Sequence, residues 1–389
     1  MAPSDIFDDK AFIGLLPAGL SDLLDPEASK DADATATILS CFHQFGYARV
    51  KPPLVEFEDS LLHDGPGAAV AQKSFRLMDP ISHKMMALRA DMTAQIARIS
   101  GTRLSHAPRP LRLAYAGEVM RVAPDVLNPE RQQVQAGAEL IGRADNAASA
   151  EVIALGARAL LQAGISGLTL DLGTPRLAQV LIDEAASQDV ASSLLDAIAE
   201  RDVSRLADIG GDVAPYLIAL LEASGRQPDE LAGLIPTLPK AAADLLSDLL
   251  DVAAAVQSVY PDLPITLDPL ELHGVEYHTG VGFAFFGAGL RGEIARGGSY
   301  ITGFGEAATG LSVYMERVLR GLPDADRPAF IYIPKSIGGD AALKTAFQYA
   351  TRGRHIVIGT KDGAGAEDEA RASGCRFILR DLNSGPEEL

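Results

Sequence analysis

LRLAYAGEVMRVAPDVLNPERQQVQAGAELIG, residues 111–142, holds two strand-like stretches, LRLAYAGEVMRV and QQVQAGAELIG, with a polar loop between them. Upstream, FRLMD and KMMALRA repeat that character from Phe75 onward, and one helical stretch lies near Thr93 to Ile99. Strand-like stretches joined by polar loops predict an antiparallel sheet. Arg121 stands where the first long stretch gives way to the loop. A sheet-borne arginine there can grip a phosphate through two parallel hydrogen bonds, although an arginine at a strand end is more often a solvated charge.

Toward the N-terminus, residues 29–45 place Ala34, Ile38, Cys41, Phe42 and Phe45 at helical spacing, and Gly46 follows as a stop. Tyr47 to Val55 is short and strand-like, but Pro52 and Pro53 cannot donate to a central ladder, so an edge or a strand end is expected. Toward the C-terminus come a helix from Glu151 to Ala163, a strand from Leu168 to Leu172, and a helix from Pro175 to about Ala186 with Thr174 as its N-cap. Residues 188–255 are rich in Ala, Leu and Asp, with patterns such as LIALLEA and DLLSDLLDVAAAV, and predict an all-helical insertion. Strand-like PITLD, VGFAFFG and RGEIARG return after Pro261, followed by a helix around Met315 to Leu319. Beyond Pro323, AFIYIP, HIVIGT and CRFIL alternate with helices as a small parallel α/β unit. The predicted organisation is α+β: a core of residues 1–187 and 256–322, a helical insertion at 188–255, and a C-terminal domain at 323–389.

Composition narrows the function. Of 389 residues, 34 are Lys or Arg against 52 Asp or Glu, a net charge of −18 without a concentrated basic patch, which argues against nucleic acid as a partner. No apolar run approaches the ~18 residues needed to cross a bilayer, and MAPSDIFDDK is acidic where a signal peptide is basic, so a cytoplasmic protein without membrane association is expected. Cys41 and Cys375 stand far apart, which fits a reducing compartment. Residues 268–280, DPLELHGVEYHTG, gather Asp268, Glu271, His273, Glu276, Tyr277 and His278. Histidines five apart on a strand point to opposite faces and no third ligand is evident, so no metal is expected. ARGGSYITGFG, residues 295–305, is neither a P-loop nor a dinucleotide fingerprint.

In this order the segments resemble a class II aminoacyl-tRNA synthetase core, specifically histidyl-tRNA synthetase, over roughly residues 12–320. GLLPAGLSDLLD is similar to that family's opening segment, FGYARVKPPLVE with the helix before it to motif 1, AGEVMRVAP with RQQVQAGAELIG to motif 2, and TGLSVYMERVL to motif 3. LDPLELHGVEYHTG and ARGGSY resemble the two histidine-specific signatures. The resemblance implies a histidine pocket. LRADMTA stands where the family has Leu-Arg-Pro-Glu-Gly-Thr-Ala, which puts Asp91 and Thr93 near the substrate ammonium. Gln135 and Glu139 match the residues that face histidine, Tyr277 and His278 fall in the first signature, and Tyr300 in the second. A carboxylate with hydroxyls and amides nearby suits free histidine.

The catalytic side departs from the family. His273 replaces an arginine that stabilises charge, and an imidazole cannot stand in for a forked, permanently charged guanidinium. Ala123 replaces a glutamate that partners ATP, Tyr314 a glycine, and Ser299 and Ile301 also differ, while Arg121 and Arg317 survive as a vestigial ATP site. The segment after motif 3 is short for an anticodon-binding domain. This mixture resembles the regulatory subunits that pair with the short catalytic form of ATP phosphoribosyltransferase. It implies a non-catalytic protein without cofactor that self-associates as a homodimer, docks the catalytic subunit and lets L-histidine inhibit it at the start of histidine biosynthesis. A divergent histidyl-tRNA synthetase or other amino-acid activator is the alternative, and a scaffold without small-molecule binding ranks third.

Overall fold

Eight strands form the main sheet in the computed structural model, which describes residues 14–62, 65–124, 129–183, 188–271, 277–324, 328–382 and 384–389. Taken by first residue, the order across the sheet is Ala48, Leu111, Gln132, Ala307, Ala295, His278, Thr169, Ile265. The inner ladders are antiparallel. The outermost pair at each side is parallel, Ala48 beside Leu113 and Leu170 beside Ile265, so the sheet is mixed where the sequence predicted an antiparallel one. FRLMD and KMMALRA do not join it: Arg76–Met78 and Met85–Leu88 pair with Val55–Phe57 in a separate three-stranded sheet. Pro52 and Pro53 lie between the edge strand Ala48–Arg49 and Val55–Phe57, which is where a chain without two backbone donors can change sheets.

The period-two alternation of each strand sorts its side chains onto two faces. One face is apolar. Ala114 and Ala116, Ala136 to Leu140 at every second position, Leu311, Val313, Phe283 and Phe285 are buried in one large core. The helices Glu27–Gln44, Asn146–Ala163 and Lys240–Val259 contribute Ile38, Phe42, Val152, Leu160, Leu249 and Val256 to that core. Gly156 lets the middle helix sit close, because a Cβ there would fall 2.9 Å from Leu311 Cδ2. This helix begins at Asn146, earlier than Glu151, since the Asp145 carboxylate accepts from the Ala148 N–H at 2.8 Å and caps it. Gly164, at φ 106°, ends it.

The first helix, Glu27–Gln44, stops where Gly46 predicted it: Phe45 is its C-cap, 49% exposed with the Arg158 guanidinium 5.9 Å from its ring, and Gly46 follows at φ 83°. One sequence expectation fails locally. Thr174 does not cap the helix Pro175–Asp183: its hydroxyl is buried without a partner, because the Leu177 N–H already binds the Thr174 carbonyl at 2.9 Å. Residues 188–259 carry the helices Gln188–Ala199, Val203–Ile209, Ala214–Ala223, Pro228–Ala232 and Lys240–Val259.

The chain divides into two units, Met1–Pro323 and Asp324–Leu389. In the second, Phe330–Ile333 lies between His355–Ile358 and Cys375–Ile378, both parallel to it, and Glu387–Glu388 adds an antiparallel edge. Helices Gly339–Thr351 and Ala364–Ala372 bury Ala342 with Ala346, and Ala366 with Ala370, in two small cores. Among the described residues no helix is long and apolar enough to cross a membrane.

Candidate functional site

The second face of the main sheet carries the site. Register places Glu139 beside Gly310, Gly310 beside Gly298, Gly298 beside Gly282, and Gly282 beside Gly173. Four glycines in one cross-strand row form a trough, and two side chains lie in it. A Cβ on Gly310 would collide with the Glu139 carboxylate, and one on Gly298 with the His278 ring. Above the trough is a cavity of about 550 Å³, inside the range of ~300–1,000 Å³ usual for small ligands.

One end of the cavity is acidic and hydroxyl-rich. Glu139 is 1% exposed and accepts from the Tyr300 hydroxyl at 2.9 Å and, at a long 3.4 Å, from Tyr115. Burial pushes its carboxyl up to about 8, and the nearby Asp91 adds to the rise against the lowering effect of its hydrogen bonds. Asp91 and Thr93 line the same wall, with the Thr93 N–H donating to Asp91 at 2.7 Å at the start of the helix Thr93–Gly101. Gln135 is not part of the cavity lining. Its oxygen accepts from the Met92 N–H, and its amide nitrogen donates to Asp91 and to Ser312 Oγ, all at 2.8 Å, so it holds Asp91 from behind.

Tyr277, His278 and Tyr300 also line the cavity. The Tyr277 ring meets His278 edge-on at 4.9 Å and Tyr300 at 5.7 Å. Burial raises the Tyr277 hydroxyl, and burial together with the nearby Arg296 lowers the His278 imidazole to about 3. The His278 Nδ1 is buried without a hydrogen-bond partner.

Toward Tyr314, four residues along its strand from Gly310, the lining is cationic, with Lys73, Arg121 and Arg317 in the same cavity and Arg296 near both Tyr314 and the Tyr277–His278 pair. Arg317 donates to the Glu293 carbonyl at 2.6 Å and lies 4.8 Å over the Tyr314 ring. Tyr314 is buried beside Arg296, with which it shares a hydrogen bond, and burial pushes its hydroxyl up to about 12. Ser299 points to the helix-covered face, 3.2 Å from Ser149 Oγ, and Ala123 is exposed. His273 and Glu276 lie outside the described residues. Among those described, no group of three His, Cys, Asp or Glu residues is placed to hold a metal.

Sequence reasoning passed over Tyr115, Arg296 and Ser312. Each lies inside a quoted segment, but only strand register shows that Arg296 and Ser312 line the cavity and that Tyr115 lies on the same side of the sheet beside Glu139. The glycine row is likewise visible only once four strands are aligned.

Comparison with known proteins fits this architecture. Residues 19–318 match the family model of histidyl-tRNA synthetase. A protein of Paramagnetospirillum magneticum named ATP phosphoribosyltransferase regulatory subunit is 44% identical over 367 residues, 94% of this chain and 96% of its own. A protein of the same name from Rhodospirillum centenum is 41% identical, covering 94% of each chain. Among solved structures, an ATP phosphoribosyltransferase regulatory subunit/histidyl-tRNA synthetase from Bacillus halodurans shares the fold with a TM-score of 0.81 at 22% identity, over 95% of this chain and 98% of its own. Histidyl-tRNA synthetase from Nostoc does so with a TM-score of 0.77 at 20% identity, over 95% and 92%. The chain belongs to the histidyl-tRNA synthetase family and, within it, to the ATP phosphoribosyltransferase regulatory subunits.

Proposed function

We propose that this chain is non-catalytic, that it sustains the activity of a short-form ATP phosphoribosyltransferase catalytic subunit in the cytoplasm, and that L-histidine bound in the Glu139 cavity inhibits the complex. It self-associates through the synthetase-like core of residues 1–187 and 256–322, with residues 188–255 as a helical insertion and 323–389 as a small C-terminal α/β domain. The observation that carries this reading is the polarity of the cavity. A buried carboxyl with tyrosine hydroxyls, Asp91 and Thr93 at one end suits an ammonium and an imidazole N–H. At the other end the Tyr314 ring stands against Arg317 and Arg296, where a nucleotide would need open space. Arg121 and Arg317 remain in the wall as remnants of an ATP site. Feedback then needs histidine to bind two assembly states unequally, by ~1–3 kcal/mol.

Mixing the chain with a short-form catalytic subunit should give turnover of ATP and phosphoribosyl pyrophosphate that histidine suppresses. Glu139→Ala should keep turnover and lose the suppression. Unchanged rate and unchanged histidine sensitivity on adding the chain would reject the proposal. Arg121 and Arg317 lining one cavity with Glu139 leave a divergent amino-acid activator as the second reading. Histidine-dependent pyrophosphate exchange by the chain alone would decide for it.

A further inference from the structure

The cross-strand row beneath the cavity does not end at Gly173. Gly173 pairs with Asp268 on the outermost strand, so one line of directly opposed residues runs from Glu139 through Gly310, Gly298, Gly282 and Gly173 to Asp268. Two strand spacings of ~4.8 Å put Asp268 ~10 Å from Gly282, the glycine whose Cβ position faces His278. Asp268 is also where the helical insertion is fastened. Its buried carboxylate accepts from the Ser224 hydroxyl at 2.8 Å, from the Leu270 N–H at 3.2 Å and from the Arg201 guanidinium, while the Gly225 N–H donates to the adjoining Leu267 carbonyl at 2.8 Å. Ser224 follows the helix Ala214–Ala223, and Arg201 stands just beyond Gln188–Ala199. Arg201 has φ 54°, a left-handed backbone that a residue with a side chain adopts only at a cost. The insertion is held to the large core independently by Leu194, Ile198, Leu217 and Leu221. The polar tie therefore does little to keep the insertion folded; it fixes where two of its helix ends meet the sheet.

We propose that Asp268 and Arg201 are positioning residues that couple the helical insertion to the ligand in the cavity. The proposal rests on the histidine site proposed above and adds the element that responds to its occupancy. Asp268 and His278 stand ten residues apart in the chain and are joined across the sheet by Gly173 and Gly282. A ligand that fixes Tyr277 and His278 in the trough thereby fixes the strand end at Asp268, and with it Arg201 and Ser224. Linkage makes the effect reciprocal: a fastened insertion lowers the cost of ordering the trough around a ligand, and a loosened one raises it. The two states of the device are the ion pair made and the ion pair broken, with the apolar contacts of the insertion kept in both. A Cβ on Gly173 would fall 2.7 Å from the Asp268 carbonyl, so the two strand ends are packed closely enough to move together.

The test uses the full chain and L-histidine. Arg201→Gly removes the guanidinium and suits the left-handed backbone, so it should fold with an unfolding midpoint close to the native one. Calorimetric titration should show histidine affinity lowered by about fivefold in Arg201→Gly and in Asp268→Asn, and restored to within about twofold in Arg201→Lys, which keeps a cation for Asp268. Amide hydrogen exchange gives the readout that a merely structural role would not move. Histidine should slow exchange in Gln188–Ala199 and Ala214–Ala223 by about threefold in the native chain, and should leave it unchanged in Arg201→Gly. Native affinity in both loss variants, no recovery with lysine, or equal slowing with and without the ion pair would overturn the proposal. If Asp268→Asn does not fold, Arg201→Gly decides alone. A native chain that binds histidine without any change of exchange in the insertion removes this proposal and leaves the site; one that binds no histidine removes the site as well.

Discussion

Around the glycine row the two faces of the main sheet are built from neighbouring residues of the same strands and have opposite physical characters, whereas beyond it Leu113, Ile141 and Ala308 join Met92 and Ile96 in a second, smaller apolar cluster on the cavity side. On Gln132–Ile141, Ala136, Ala138 and Leu140 enter the helix-covered core, while Gln135 and Glu139 between them face the cavity side. On Ala307–Tyr314, Leu311 and Val313 do the first, and Gly310, Ser312 and Tyr314 the second. The apolar face gains free energy from burial, roughly 25 cal/mol per Å². The cavity face holds groups that burial disfavours: a carboxyl in Glu139, an orphan nitrogen in His278, guanidinium groups in Arg296 and Arg317. Stability and binding are thus divided across a sheet one residue thick, and a single-residue slip of register would exchange them.

The division is open to attack from its apolar side first. Phe285 is fully buried, with its ring 5.9 Å from that of Phe283. Phe285→Ala should cost about 3–5 kcal/mol in urea unfolding, with the folded fraction keeping native histidine affinity. An affinity loss as large as that of Glu139→Gln would mean the faces are not separable.

Glu139→Gln attacks from the other side, and its expected sign is opposite. The folded-state carboxyl is raised from 4.5 to about 8, so its contribution to stability is full below pH 4.5 and is lost as pH rises through about 8. The span is on the order of 5 kcal/mol at most. The glutamine variant should lack this decline and equal or exceed the native protein in unfolding midpoint above pH 8, while histidine binding falls by about a hundredfold. A native stability curve that is level from pH 5 to pH 8 would refute the assignment. A smaller effect follows from the same carboxyl. Histidine presents N–H donors that favour its ionised form, so binding near neutrality should release up to one proton. Titration calorimetry in two buffers of different ionisation enthalpy measures it, and Glu139→Gln should abolish the release.

This contrast between faces also explains what the sequence disclosed. Helices were legible where apolar spacing was regular, as at Ala34, Ile38, Cys41 and Phe42, all four buried. The end of the first helix was legible too, in Gly46 at φ 83°, but not that Phe45, which continues the apolar spacing, is an exposed C-cap. Strand-like character was legible in FRLMD and KMMALRA, but not that they form a sheet of their own, because membership depends on pairing between distant segments. Within the site, Glu139 and Tyr300 could be named from ordered motifs, and they do meet at 2.9 Å. Gln135 was named from the same motif, yet its amide is spent on Asp91 and Ser312 behind the wall. Arg296 was hidden because an arginine before two glycines has no meaning until the second of them, Gly298, is seen to form part of a trough floor.

The smallest expected effect tests whether the cavity is one site or two ends. Tyr314 pairs with Gln135 and lies four residues along its strand from Gly310, the neighbour of Glu139, which is ~13 Å at 3.3 Å per residue. Its hydroxyl is shared with Arg296, and its ring supports the Arg317 guanidinium. Tyr314→Phe keeps the ring and removes only the hydroxyl, so it should alter stability by about 1 kcal/mol or less and histidine affinity by less than about twofold. If it weakens histidine as much as Glu139→Gln does, the cationic end takes part in holding the amino acid. The division would then run between the two faces of the sheet but no longer between the two ends of the cavity, and Arg296 would be the residue to substitute next.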